Sequence, residues 1–148
     1  MKLQQISIFL ENSPGRLYEA THALGMAGMQ VRACSLVDTR DAGVLRLIAS
    51  DVATARQVMM EKQFPGRVDE VVGAEIGDEP DGLARVLEPV LAEGISVDYM
   101  YSLTGFPSEK HLMIFRFSDN DRAHEILERN RTRLPDSLGT RAVEATTH

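Results

Sequence analysis

Residues Pro14–Val37, PGRLYEATHALGMAGMQVRACSLV, overlay residues Pro80–Leu103, PDGLARVLEPVLAEGISVDYMYSL, at a constant offset of 66. Pro14 falls on Pro80, Leu17 on Leu83, Gly28 on Gly94 and Val31 on Val97. Downstream, VLRLIASDVATA from Val44 overlays LMIFRFSDNDRA from Leu112 at an offset of 68, setting Ser50 on Ser118 and Asp51 on Asp119. The change of offset amounts to two extra residues in an intervening loop. Identities are few, but turn residues and apolar periods recur in order. That is the mark of an internal duplication, with a unit of about 70 residues.

The first copy reads as strand, helix, strand, strand, helix. Leu3–Leu10 is rich in Ile and Phe and alternates weakly, as a strand does. Glu11–Gly15 turns the chain; Ser13 or Asn12 is placed to cap a helix, and Pro14 suits the first helical position. Leu17, Ala20, Thr21, Leu24 and Ala27 follow at helical spacing as one buried stripe, and Gly28 stops the helix. Met29–Val37 and Val44–Ser50 form a hairpin around the polar turn Asp38–Gly43. Asp51 caps a second helix reaching about Lys62, with Ala55, Val58 and Met59 inward. The extended stretch Arg67–Gly77 must both close the first copy and open the second.

The second copy repeats that order. Gly82–Glu93 reads as a helix with Leu83, Val86, Leu87, Val90 and Leu91 on its apolar face. Pro89 removes the bond to Arg85, which predicts a kink. Ile95–Leu103 and His111–Phe117 form a hairpin around the loop Thr104–Lys110, Asp119 starts a last helix to about Asn130, and Arg141–Ala145 reads as a closing strand. The fold class is therefore α+β: two ferredoxin-like βαββαβ units, residues 1–70 and 71–148, with antiparallel sheets side by side and helices on one face.

Composition narrows the function. The 148 residues are 43% hydrophobic, enough to bury a reasonable core, and carry a net charge of -6. An acidic chain repels phosphate backbones, so no nucleic-acid partner is expected. Arg129, Arg131 and Arg133 form the only basic cluster and read as a solvated helix end. The single cysteine, Cys34, excludes an intrachain disulfide framework and reads as a small core residue. No segment is long enough to span a membrane, and Ile6–Leu10 is too short for a signal peptide, which predicts a cytoplasmic protein without a membrane partner.

The stretch Phe9-Leu10-Glu11-Asn12-Ser13-Pro14-Gly15-Arg16-Leu17, followed by Ala27-Gly28-Met29-Gln30-Val31, resembles the signature of ACT domains, regulatory modules that bind amino acids. The order N-x-P-G-x-L, helix, A-G, strand carries the resemblance, which extends over both halves and is similar in particular to stand-alone tandem ACT proteins without a catalytic domain. The second copy, Asp78-Glu79-Pro80-Asp81-Gly82-Leu83, departs from it: Asp81 stands where the first copy has Gly15.

The resemblance implies a free amino acid as small-molecule ligand, bound where ACT units meet, and a homodimer. The residues of the first turn suit that role. The helix after Pro14 presents N–H groups and the positive end of its dipole to an α-carboxylate. Gly15 lets a ligand approach the backbone, Asn12 and Ser13 offer neutral donors and acceptors, Arg16 adds positive charge, and Leu17 completes the turn. In the second turn Asp78, Glu79 and Asp81 crowd carboxylates together, which would repel a carboxylate and could hold an ammonium. Tyr99 and Tyr101 share one face of their strand and read as core or interface aromatics that can also line the ligand cleft. Met26, Met29, Met59, Met60, Met100 and Met113 read mostly as core filling. An Asn-Ser-Pro-Gly run also serves any strand-to-helix turn, so the purely structural reading stands beside the functional one.

No catalytic or cofactor motif appears. His22, His111, His124 and His148 fall on different elements with no metal-ligand spacing, and the phosphate-loop, dinucleotide and nucleophile-elbow patterns are missing. The leading expectation is a non-catalytic amino-acid sensor without cofactor or metal. The alternative is a regulatory subunit or interaction module of an amino-acid biosynthetic enzyme such as acetolactate synthase, whose small subunit shares the short N-terminal signature. A third reading, a small enzyme on this scaffold, would require a polar cleft with a perturbed acid or base.

Overall fold

Ile6, Ile8 and Leu10 alternate with Gln5, Ser7 and Phe9 along the first strand, so one face carries three large aliphatic groups. In the computed structural model, residues 1–148 are described except Asn12, Arg40, Asp41, 104–110 and 134–148, and the side chains of 131–133. The expected loop Thr104–Lys110 and closing strand Arg141–Ala145 lie outside the described residues. The elements are β1 (Lys2–Leu10), α1 (Arg16–Met26), β2 (Val31–Asp38), β3 (Gly43–Ala49), α2 (Val52–Glu61), β4 (Gly66–Ile76), α3 (Gly82–Leu91), β5 (Val97–Leu103), β6 (His111–Phe117) and α4 (Asn120–Arg133).

Among the described residues two compact units result: Gln4–Asp69, and Met1–Leu3 with residues 70–133. In the first the strand order is β2-β3-β1-β4, all antiparallel where register is defined, with Ile8 opposite Leu45 and Cys34 opposite Leu47. Ile6, Ile8, Leu10, Leu45 and Leu47 form a core with Ala20 and Leu24 of α1 and Ala55, Val58 and Met59 of α2, so both helices cover one sheet face. In the second unit the order is β1-β4-β6-β5, and Val72, Ala74, Ile76, Phe115 and Phe117 pack with Val86 and Val90 of α3 and Ala123 and Ile126 of α4.

Strand β4 serves each unit in turn. Its start lies against the end of β1, where Phe9 N–H donates to Pro65 O at 2.8 Å, and its later residues pair with β6. Beside Gly73 runs the very start of β1: the Met1 amino group donates to Gly73 O at 3.0 Å and Gly73 N–H to Met1 O at 2.7 Å, a reciprocal antiparallel pair. A Cβ on Gly73 would come within 3.0 Å of Leu3 Cδ1, so the glycine admits that neighbour.

The duplication is visible in atomic detail. α1 ends with Gly28 at φ +80, Gly28 N–H donating to Gly25 O and Met29 N–H to Leu24 O, both at 3.0 Å. α3 ends the same way at Gly94, φ +78, with Gly94 N–H to Leu91 O and Ile95 N–H to Val90 O. These are the two bonds of a Schellman cap. A β-bulge falls between Val31 and Ala33 and again between Val97 and Tyr99. Ser50 N–H donates to Gln30 O and Ser50 Oγ accepts from Gln30 N–H; Ser118 and Ser96 repeat the exchange. Asp51 caps α2 by accepting from Thr54 N–H, and Asp119 caps α4 by accepting from Arg122 N–H. The Thr54 bonds hold the Asp51 carboxyl below its usual range.

Several side chains depart from expectation. The α1 stripe is narrower than its spacing predicts: Ala20 and Leu24 are buried, whereas Leu17 is 41% exposed and Thr21 and Ala27 face solvent. The helix lies on small Ala20 and Ala23, and two turns suffice to fill the gap above β1. Cys34 is exposed, because its strand β2 lies at the end of the strand order. Met26, Met60 and Leu91 are exposed and fill no core. Pro89 lies inside α3, between buried Val86 and Val90.

The stitch of Met1–Leu3 onto β4 is ringed by charge. Lys2 pairs with Asp121 and lies 3.4 Å from Glu70, while His124 of α4 has a buried Nδ1 with no partner among the described residues. Burial pushes the His124 imidazole below its usual 6.5, helped by the Met1 amino group and Lys2 and opposed by Glu128 and Glu70. A depressed histidine is protonated more readily in the unfolded chain, so stability falls as pH drops below 6.5. Exchange of the Gly73 amide, corrected for intrinsic rate, is expected to speed up from about pH 7 to about pH 5.5. His124→Asn should flatten that dependence, measured by hydrogen exchange.

Candidate functional site

The first turn is built by its backbone. Ser13 N–H donates to Glu11 O at 2.7 Å and Arg16 N–H reaches Ser13 O at 3.4 Å. Pro14 and Gly15 are the two central residues, and Gly15 has φ 90, ψ -11, the second central position of a type II turn. Pro14 is therefore a turn residue and not the first residue of α1. No side chain caps the helix: Gly15 holds the N-cap position, and the first helical bond runs from Glu19 N–H to Gly15 O at 2.9 Å. Serine cannot cap from two residues further back. Nothing lies within 4 Å of a Cβ built on Gly15, so its conformation, and not crowding, demands glycine. Ser13, Pro14 and Gly15 are all exposed; Asn12 lies outside the described residues.

Arg16 does not extend freely from this turn. Its Nη1 pairs with Glu19 at 2.7 Å and its guanidinium lies 4.4 Å from the centroid of the Phe64 ring. The side chain is 25% exposed, and Nε is buried with no partner among the described residues. A cation–π contact of this kind holds the guanidinium against the body of the unit. Phe64 was not legible as a site residue, since a lone aromatic between α2 and β4 looks like core. It also borders two grooves, one of about 360 Å³ between α2 and the start of β4, with Arg56 and Arg67, and one of about 460 Å³ along α1.

The second turn takes another form. Gly82 N–H donates to Glu79 O at 2.9 Å, with Pro80 and Asp81 as the central residues, and Asp81 has φ -100, ψ 12, which fits a type I turn. A Cβ on Gly82 would stand 2.5 Å from Gly77 O, so the position that carries Arg16 in the first copy admits no side chain here. Two of the three carboxylates of this turn have partners: Asp81 pairs with Arg85 at 2.7 Å and Asp78 lies 3.3 Å from His111 Nε2. Each of these two charges has found a counter-group of its own.

Tyr99 and Tyr101 do share a face, their rings 6.4 Å apart and inclined by 27°. Both are half-buried, and Tyr101 shares a row with Ile114 and Gly73, five residues before Asp78. The structure thus groups Ser13–Leu17 in one unit and Asp78, Tyr99 and Tyr101 in the other. Among the described residues no three His, Cys, Asp or Glu side chains converge on a metal position.

A family model described as an ACT domain pair matches residues 1–136. No curated protein matches the sequence. Among solved structures, protein BT0572 from Bacteroides thetaiotaomicron is similar at 34% identity and a TM-score of 0.81, over 88% of this chain and 90% of that one. The regulatory subunit of aspartate kinase from Thermus thermophilus shares the fold at 13% identity and a TM-score of 0.56, over 85% and 91% of the two chains. E. coli aspartokinase III, in complex with lysine and aspartate, does so at 16% identity and a TM-score of 0.54, over 90% of this chain and 32% of that one.

The two turn glycines should respond to alanine for different reasons. Gly15→Ala forces a side chain into the left-handed region without a clash and should cost about 1–2 kcal/mol. Gly82→Ala drives a methyl into the Gly77 carbonyl and should cost about 3 kcal/mol. Urea denaturation of the two variants measures the difference.

Proposed function

Because the chain belongs to the ACT domain-pair family, we propose that it is a non-catalytic regulatory protein that senses a free amino acid at its first turn, its two ACT domains spanning residues 1–70 and 71–148. The observation that carries this reading is the contrast between the turns. Neither helix start has a side-chain cap, but at the first an exposed type II turn with glycine at its second central position leads into α1, and an arginine lies one residue on. Backbone donors and a helix N-terminus suit an α-carboxylate. At the second, Gly82 is pressed on Gly77 O and the turn is acidic, which supports a working site in one copy only.

The ligand-binding residues on this reading are Ser13, Pro14, Gly15, Arg16 and Leu17, with Asn12 before them, and a neighbouring ACT unit closes the site. Asp78, Tyr99 and Tyr101 would act from the second domain. Association as a homodimer is supported by β2, which among the described residues pairs on one side only and leaves Leu36 and Val37 exposed. An unpaired apolar edge favours a partner. An amino acid that binds one arrangement of ACT units better than another shifts the population toward it by its difference in affinity. The cytoplasm is the compartment proposed; no helix among the described residues is long and apolar enough to cross a membrane.

A second reading, a regulatory subunit or interaction module of a biosynthetic enzyme such as acetolactate synthase, draws support from the likeness to a regulatory subunit of aspartate kinase, which is a likeness of fold. Co-purification with an enzyme distinguishes it.

Calorimetry with the free amino acids one at a time should reveal at least one that binds. Arg16→Gln should weaken it about tenfold, equivalent to about 1.4 kcal/mol. Sedimentation equilibrium should return a dimer. Absence of heat with every amino acid would sink the sensor reading, and a strict monomer would remove the homodimer.

A further inference from the structure

Helix α1 turns toward solvent a stripe that packing does not require. Tyr18, His22 and Met26 follow at four-residue spacing, which sets them one above the other on a helix face. All three are exposed, Tyr18 to 67% and Met26 to 76%. The Tyr18 and His22 rings stack, centroids 5.3 Å apart and planes within 12°. Along the stripe runs the groove of about 460 Å³, bounded also by Glu19, Lys62 and Phe64. Its volume is in the range of small-molecule sites.

The duplication separates what the scaffold needs from what this groove adds. At the offset of 66, Tyr18, His22 and Met26 become Ala84, Glu88 and Ala92, and at 68, Lys62 becomes Asn130. The second copy keeps the caps, bulge and core of the first while lacking the aromatic stack, the thioether and the ammonium. None of these four side chains is therefore a condition of the fold.

Charge selects the occupant. The Glu19 carboxylate is tied to Arg16 at 2.7 Å, whereas Lys62 makes no ion pair among the described residues. The groove therefore carries a local positive excess in a chain of net charge -6. A flat apolar wall beside an uncompensated ammonium complements a ring that bears a carboxylate.

We propose that this groove is a ligand site separate from the first turn and that it takes small aromatic carboxylates. The ring lies against the Tyr18–His22 stack and Phe64, and the carboxylate meets Lys62 Nζ. An α-amino group on the ligand is not required, because Arg16 already neutralises Glu19.

Amide-shift titration of the full chain with 3-phenylpropanoate tests the site. Saturable shifts are expected around Tyr18, His22, Met26 and Lys62, with 3-phenylpropanol about tenfold weaker and Lys62→Gln about tenfold weaker toward the acid. His22→Ala should weaken both probes. The proposal is overturned if no saturation appears below about 10 mM, if Lys62→Gln leaves the affinity unchanged, or if the shifts centre on Ser13–Leu17. The probe lacks an α-amino group, so failure here leaves amino-acid binding at the first turn untouched, and failure there leaves this site untouched. L-Phenylalanine as a parallel ligand should shift the same amides with no gain over the acid; a gain of more than about tenfold would overturn the role given to the Arg16–Glu19 pair.

Discussion

The close approach of backbone between β1 and β4 is the constraint on which both units depend. A Cβ on Gly66 would overlap the Ser7 carbonyl and the Met59 methyl, and one on Gly73 would crowd Leu3. Glycine at these two positions lets a single strand contribute its start to one unit and its remainder to the other. Beside that ladder the polar groups are satisfied and not merely buried: Gln5 Nε2 donates to Ser7 Oγ, Ser7 Oγ to Asp69, and Arg67 Nε to the same carboxylate. Removing the partner of a buried polar group costs more than the bond itself contributes.

Repeated elements and divergent elements carry different information. The left-handed glycine caps at Gly28 and Gly94, the paired bulges and the serine exchanges at Ser50 and Ser118 recur because each satisfies backbone groups that any such unit must satisfy. The turns at Pro14 and Pro80 differ because one residue, Gly15 against Asp81, changes the turn type, and one more, Arg16 against Gly82, decides whether a side chain can stand there. An ACT domain pair of this kind keeps two scaffolds whose helix starts both lack a side-chain cap, and differs in the turn type and in the residue that follows the turn. The asymmetry lives in a few side chains and leaves the cores alike.

Most of the fold was legible because its signals are local. Glycine ends helices where φ must be positive, aspartate caps them, and Ile, Val and Leu at alternate positions fill a sheet face. The site was legible only as a location. That Pro14 belongs to a type II turn depends on the φ of Gly15, and a proline–glycine pair is compatible with either a turn or a helix start. That Arg16 folds back on Phe64 depends on a residue 48 positions further along the chain, which no spacing rule connects to it. Met26 reads as core filling and His22 as one of four scattered histidines; that Tyr18, His22 and Met26 form one exposed face is decided by burial.

The sequence by itself determined the duplication, the element order, the helix stops and the α+β class, since these follow from torsional preference and periodicity along the chain. Tertiary structure alone decided which carboxylates pair with cations, where Arg16 points, which methionines are exposed and that Met1–Leu3 lie against Gly73. Those outcomes depend on groups distant in the chain competing for the same space and the same counter-charge, and that competition is settled only when the chain is folded.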